Sequence, residues 1–125
     1  MVRQDFLLKQ IEQLGRVLAQ LIANMLGLKS NAAAYLQIEK VCQALREEAD
    51  LDINRLLEIP EENFIQVLQE NKAMDVVNMG RFAALLFHIA ENIEDKERAT
   101  LLYERSSVIH DYLEKSCGVY SFDRG

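Results

Sequence analysis

The chain has 125 residues, half of them hydrophobic and 27% charged, with five glycines and one proline. That suits one domain, with a core that needs no metal or disulfide staple, and it rules out disorder, collagen-like repeats and low complexity. A formal charge of −6, from 14 basic and 20 acidic residues, supplies no basic stripe to displace counterions from phosphate, which argues against a nucleic-acid binder.

The charge is unevenly spread. Residues 1–30 carry a mild positive excess from Arg3, Lys9, Arg16 and Lys29, too scattered to anchor on anionic lipid. Residues 31–72 hold nine acids against four bases, and residues 73–125 nine against six. With so few turn formers, long elements are expected.

From Asp5 to about Leu28 the apolar residues Leu7, Ile11, Leu14, Leu18, Leu21, Met25 and Leu28 recur at alternating steps of four and three. This predicts an amphipathic helix with Asp5 as its N-cap and Gly27 where it frays. Leu8, Gly15 and Ile22 form a second row that widens the apolar face. Glycine in mid-helix costs up to about 1 kcal/mol relative to alanine, so Gly15 marks a close approach by another backbone. Lys9, Glu12 and Arg16 interrupt the stretch, which is therefore neither a membrane span nor a signal peptide.

A second helix, capped by Ser30 or Asn31 and running to about Glu48, buries Ala34, Ile38, Val41 and Leu45, flanked by Tyr35 and Cys42. Asp50 or Asp52 opens a short third piece with Ile53, Leu56 and Leu57. Pro60, followed by Glu61 and Glu62, reads as the start of a fourth helix with Phe64, Ile65 and Leu68, ending near Asn71. The fifth, about Asp75 to Ile93, contains a run from Phe82 to Ala90 in which only His88 is polar. A helix apolar on nearly every side is buried on nearly every side, so this one is expected at the centre. Asn78, Arg81, His88 and Asn92 make its narrow polar stripe.

A turn at Glu94-Asp95 leads to a sixth helix, Lys96 to about Ser116, which buries Ala99, Leu102, Ser106, Ile109 and Leu113. Gly118 fits the position that ends it. Residues 1–118 thus form one domain and 119–125 a tail, in which Tyr120 and Phe122 are candidates to pack back. No stretch shows sustained period-two alternation. The fold class is all-α: a compact bundle of five to six helices ending in an antiparallel helical hairpin.

In the last two helices, Ala99, Tyr103 and Ser106 place a small residue, an aromatic and a second small residue at offsets of four and three. This resembles the second helix of a tetratricopeptide-type (TPR-like) hairpin, and the Glu94-Asp95 turn fits the same register. Phe87 and Asp111 depart from the pattern, standing where Gly or Ala and a closing Pro are usual. Only one such unit is clear, whereas a stable array normally stacks three. The whole chain also resembles a group of small uncharacterised bacterial helical proteins of tetratricopeptide-like class. That resemblance rests on the opening Arg3-Gln4-Asp5-Phe6-Leu7-Leu8-Lys9-Gln10-Ile11-Glu12-Gln13-Leu14 and on Leu56-Leu57-Glu58-Ile59-Pro60-Glu61-Glu62-Asn63-Phe64. It implies a fold and no catalytic residues.

Chemistry-bearing residues are sparse. In a hairpin turning near Asp95, facing residues have numbers summing to about 190. His88 and His110 are then offset by about eight residues, roughly 12 Å along the axis, too far to share a metal. The same register puts Arg81 within reach of Asp111 for a bridge across the hairpin. Cys42 and Cys117 belong to no Cys-x-x-Cys pattern, so reduced thiols and a cytoplasmic setting are expected. Cys42 reads as inert packing and Ser106 as a small core residue. No Gly-rich phosphate loop, Gly-x-Ser-x-Gly or His-Glu-x-x-His motif occurs.

The functional expectation is a non-enzymatic protein–protein interaction or scaffold domain with no cofactor and no metal. It is expected to self-associate as a homodimer through a face centred on Leu7, Leu14, Gly15, Leu18 and Leu21. The alternative is a small-ligand sensor that holds an anion or metabolite on the stripe Asn78, Arg81, His88 and His110.

Overall fold

The computed structural model describes the backbone of residues 2–27 and 32–117 and the side chains of residues 5–27 and 36–116. The expected caps Ser30 and Asn31, the contributions of Leu28, Ala34 and Tyr35, the stop at Gly118 and the aromatics of the tail lie outside these. Six helices follow in order: α1 (Val2–Leu26), α2 (Ala32–Ala49), α3 (Ile53–Glu58), α4 (Glu61–Gln69), α5 (Val76–Asn92) and α6 (Lys96–Cys117). The described residues contain no strand. The fold is an all-α bundle, as the spacing of apolar residues requires.

Helix starts follow the short acids. Asp75 caps α5, its carboxylate accepting from Asn78 N at 2.9 Å. Asp52 does the same for α3, accepting from Arg55 N at 3.4 Å, and Asp95 accepts from Glu97 N and Arg98 N at the start of α6. Each carboxylate satisfies amides left open by the helix geometry. Asp5 is not a cap: α1 begins three residues earlier, leaving Asp5 in the first turn, where a negative charge meets the positive end of the helix dipole. Pro60 stands one residue before α4, with Glu61 and Glu62 in the first turn.

α5 is the hub, packing against α6, α1 and α2. Its Met79, Phe82, Ala83, Leu85, Leu86, Ile89 and Ala90 are all buried. α3 and α4 pack instead on α6, inserting Ile53, Leu56, Phe64 and Leu68 into the same core. The α5–α6 hairpin has the expected register. Ser106 Oγ donates to Ala83 O at 2.9 Å, and the rings of Phe87 and Tyr103 meet edge to face at 5.3 Å between centroids. No helix among the described residues is long and apolar enough to cross a membrane.

Candidate functional site

Four of the five residues read as a self-association face are used inside the chain. Leu14, Leu18 and Leu21 are 5%, 0% and 6% exposed, Gly15 is buried and Leu7 half-buried. A second copy reaches this row only by opening the fold. The close approach at Gly15 is real but is made by side chains. A Cβ there would lie 2.6 Å from Arg81 Nη1 and 3.1 Å from Asn78 Oδ1. The missing methyl lets the fully buried Asn78 stitch three segments together. Its Nδ2 donates to Ile11 O at 3.0 Å and to Ala73 O at 2.8 Å, while its Oδ1 accepts from Arg81 Nη1 at 3.1 Å.

Of the polar stripe, the structure joins Asn78 to Arg81 and turns both toward α1. Asn78 has both amide hydrogens engaged, and Arg81 turns toward α1 instead of crossing the hairpin to Asp111. His88 is half-buried, with Nδ1 3.6 Å from Glu91 Oε1 and the Phe87 ring against its edge. His110 is half-buried and engaged with neighbours. None of the four lines either of two surface depressions. Among the described residues no three His, Cys, Asp or Glu side chains are grouped to hold a metal. Burial raises the Cys42 thiol above its ordinary 9.0, opposed by the charge of Arg98.

Sequence reasoning missed Arg105. It is 6% exposed, with its guanidinium 5.5 Å from the Phe64 ring centroid. Nη2 donates to Ile59 O at 3.0 Å, Nη1 lies 3.7 Å from Glu61 Oε1, and Nε is buried without a partner. The signal was present, since position 105 falls between Leu102 and Ile109 on the inward row of α6. Arg105 clamps the α3–α4 corner onto α6, and so sets one wall of the larger depression.

That depression is a groove of about 1000 Å³. α1 contributes Gln10, Gln13 and Leu14, the end of α2 and the following turn contribute Glu47 to Asp52, α3 gives Arg55 and Leu56, and Ile59 follows it. Val67, Leu68 and the segment Glu70 to Ala73 close the far side. Local backbone chemistry builds both rims. Asp50 ends α2 at φ 56°, a left-handed conformation that Asp tolerates better than most residues. Leu51 N–H then returns to Leu45 O at 3.0 Å. Opposite, Asn71 Oδ1 accepts from Ala73 N at 2.9 Å and Met74 N donates to Asn71 O at 2.9 Å, holding the α4–α5 turn tight.

The rims are acidic. Five carboxylates, Glu47, Glu48, Asp50, Asp52 and Glu70, face two cations, Arg55 and Lys72. Half-buried Ala49, Ile59 and Val67 supply apolar surface between them. The ion pairs His88–Glu91 and Arg105–Glu61 involve none of the groove's carboxylates. A smaller depression of about 290 Å³ lies between α1 and α2, lined by Val17, Leu21, Val41 and Ala44 among others. Comparison with family models, curated proteins and solved structures returned no match.

Proposed function

We propose that the chain is a non-enzymatic helical interaction module whose working surface is the groove between α1, the α2–α3 corner and α4. The observation that carries this reading is the conjunction of apolar side chains with five carboxylates along one concavity formed by helix ends and the turns between them. Apolar surface favours a partner's side chains by about 25 cal/mol per Å² removed from water. The polar rim supplies orientation and specificity, the usual anatomy of a protein-binding surface. The tetratricopeptide-like pattern of Ala99, Tyr103 and Ser106 accompanies this reading without locating the groove, since Tyr103 lies on the outer face of the hairpin.

Panning a random peptide library on the folded chain tests it. Binders are expected, and when titrated they should move the amide resonances of residues 47–52, 55 and 67–73. A library that yields no binder, or binders that move only resonances elsewhere, would remove the groove from the account.

A further inference from the structure

Resting on that reading, we infer that the groove's partner is a short cationic amphipathic helix. Three features of the site select this chemistry. The first is charge. The rim's five carboxylates and two cations leave a net negative groove, and low-dielectric walls lined by one sign of charge concentrate the opposite sign. Phosphate, an acidic peptide or an anionic lipid surface would be repelled.

The second is distribution. The carboxylates come from two separate stretches of the lining, Glu47 to Asp52 at the α2–α3 corner and Glu70 after α4. No three of them converge on a metal site among the described residues. A point cation therefore satisfies few of them, whereas Lys and Arg spaced along a peptide reach both rims.

The third is shape. A helix 10–12 Å across with a 5.4 Å pitch occupies roughly 400–600 Å³ per turn. The half-open groove, at about 1000 Å³, is comparable in volume to about two such turns. Such a helix lays its i, i+3, i+4 apolar row on Ile59, Val67 and Ala49 and turns its basic flanks to the rims, the helix-in-groove mode of recognition. The described residues contain no strand, so the groove offers no strand edge along which an extended peptide could pair.

Fluorescence anisotropy of the full chain with three labelled synthetic peptides tests the inference. One is a Lys/Leu peptide with leucines at helical spacing, the second its Glu-for-Lys counterpart, and the third a scramble of the first that destroys the apolar row. Only the first should bind. Its affinity should fall by about tenfold or more from about 0.01 to 1 M salt, as the screening length drops from about 30 to 3 Å.

Glu47→Lys/Glu48→Lys should weaken that binding by about tenfold. Glu104→Lys/Asp111→Lys, with the same change in net charge but on exposed positions of α6, should leave it unchanged. Circular dichroism establishes that both variants fold. Equal binding of the scramble, or equal loss in the two double variants, would reduce the effect to general charge attraction and overturn the inference. Binding of the Glu/Leu peptide at the groove would overturn it while sparing the docking reading. Binding of no peptide would remove both. Sedimentation showing a dimer that Glu47→Lys/Glu48→Lys dissolves would assign the groove to a second copy and also overturn it.

Discussion

Asn78 and Arg81 are three residues apart and touch each other, yet they do different work. Asn78 is wholly buried and ties the backbone of α1 to the turn before α5. Arg81 lies on the surface and adds one hydrogen bond to the same amide. Removing a buried donor strands the acceptors it served, which costs about 1–3 kcal/mol, whereas an exposed partner is replaced by water. Asn78→Ala should therefore lower unfolding free energy by about 2–3 kcal/mol, and Arg81→Ala by less than about 1. Urea titration of both variants checks this, and equal losses would contradict it.

Cys42 gives a second residue-scale prediction. Its folded-state thiol titrates above the ordinary 9.0 because burial disfavours the thiolate. The contribution of the neutral thiol is complete below the unfolded value and is lost as pH rises past it. Stability should then fall more steeply from about pH 8 to 10 in the native chain than in Cys42→Ser. Parallel slopes in urea-midpoint measurements would contradict this.

Among the elements, α5 was legible because eight of the nine positions from Phe82 to Ala90 are apolar, which leaves no solvent face wide enough for an edge helix. Ile93 and Asp75 bounded it within a residue for the usual capping reasons. The hairpin register was legible too, since Phe87 meets Tyr103 and Ala83 meets Ser106 as a short turn at Asp95 demands. The α3–α4 corner was not. Arg105 joins its apolar residues in holding it to α6, and no periodicity distinguishes a buried clamp from a solvated cation.

α3 has only six residues and reaches the core through α6, so its docking leans on that clamp. Arg105→Ala should speed amide hydrogen exchange in residues 53–69 by about tenfold or more, consistent with the loss of roughly 2 kcal/mol of local stability. Exchange within α5 should change far less. Uniform acceleration across both segments would show that the corner is no separate cooperative unit. Glu61→Gln should do little by comparison, because Glu61 is 63% exposed and such pairs contribute about 0–1 kcal/mol.

For the whole molecule, tertiary contacts bear on both site readings made from the sequence, burying most of one and turning part of the other inward. The wide apolar row of α1 was taken to face a partner, and Leu14, Leu18 and Leu21 are buried in the chain's own core. The polar stripe was taken as a continuous surface, but Asn78 closes inward over Gly15. The groove itself was invisible in one dimension. Its lining comes from separate stretches around residues 10–14, 47–59 and 67–73, and only their convergence gathers the acidic excess of residues 31–72 into rims. What the sequence did show is that the excess exists.

Intermolecular nuclear Overhauser effects test most directly the docking of a basic helix in this groove. In a complex of the full chain with the Lys/Leu peptide, the leucine methyls of the peptide should give cross-peaks to the methyls of Ile59 and Val67. Cross-peaks confined to the exposed rings of Phe87 and Tyr103, with none to Ile59 or Val67, would contradict it.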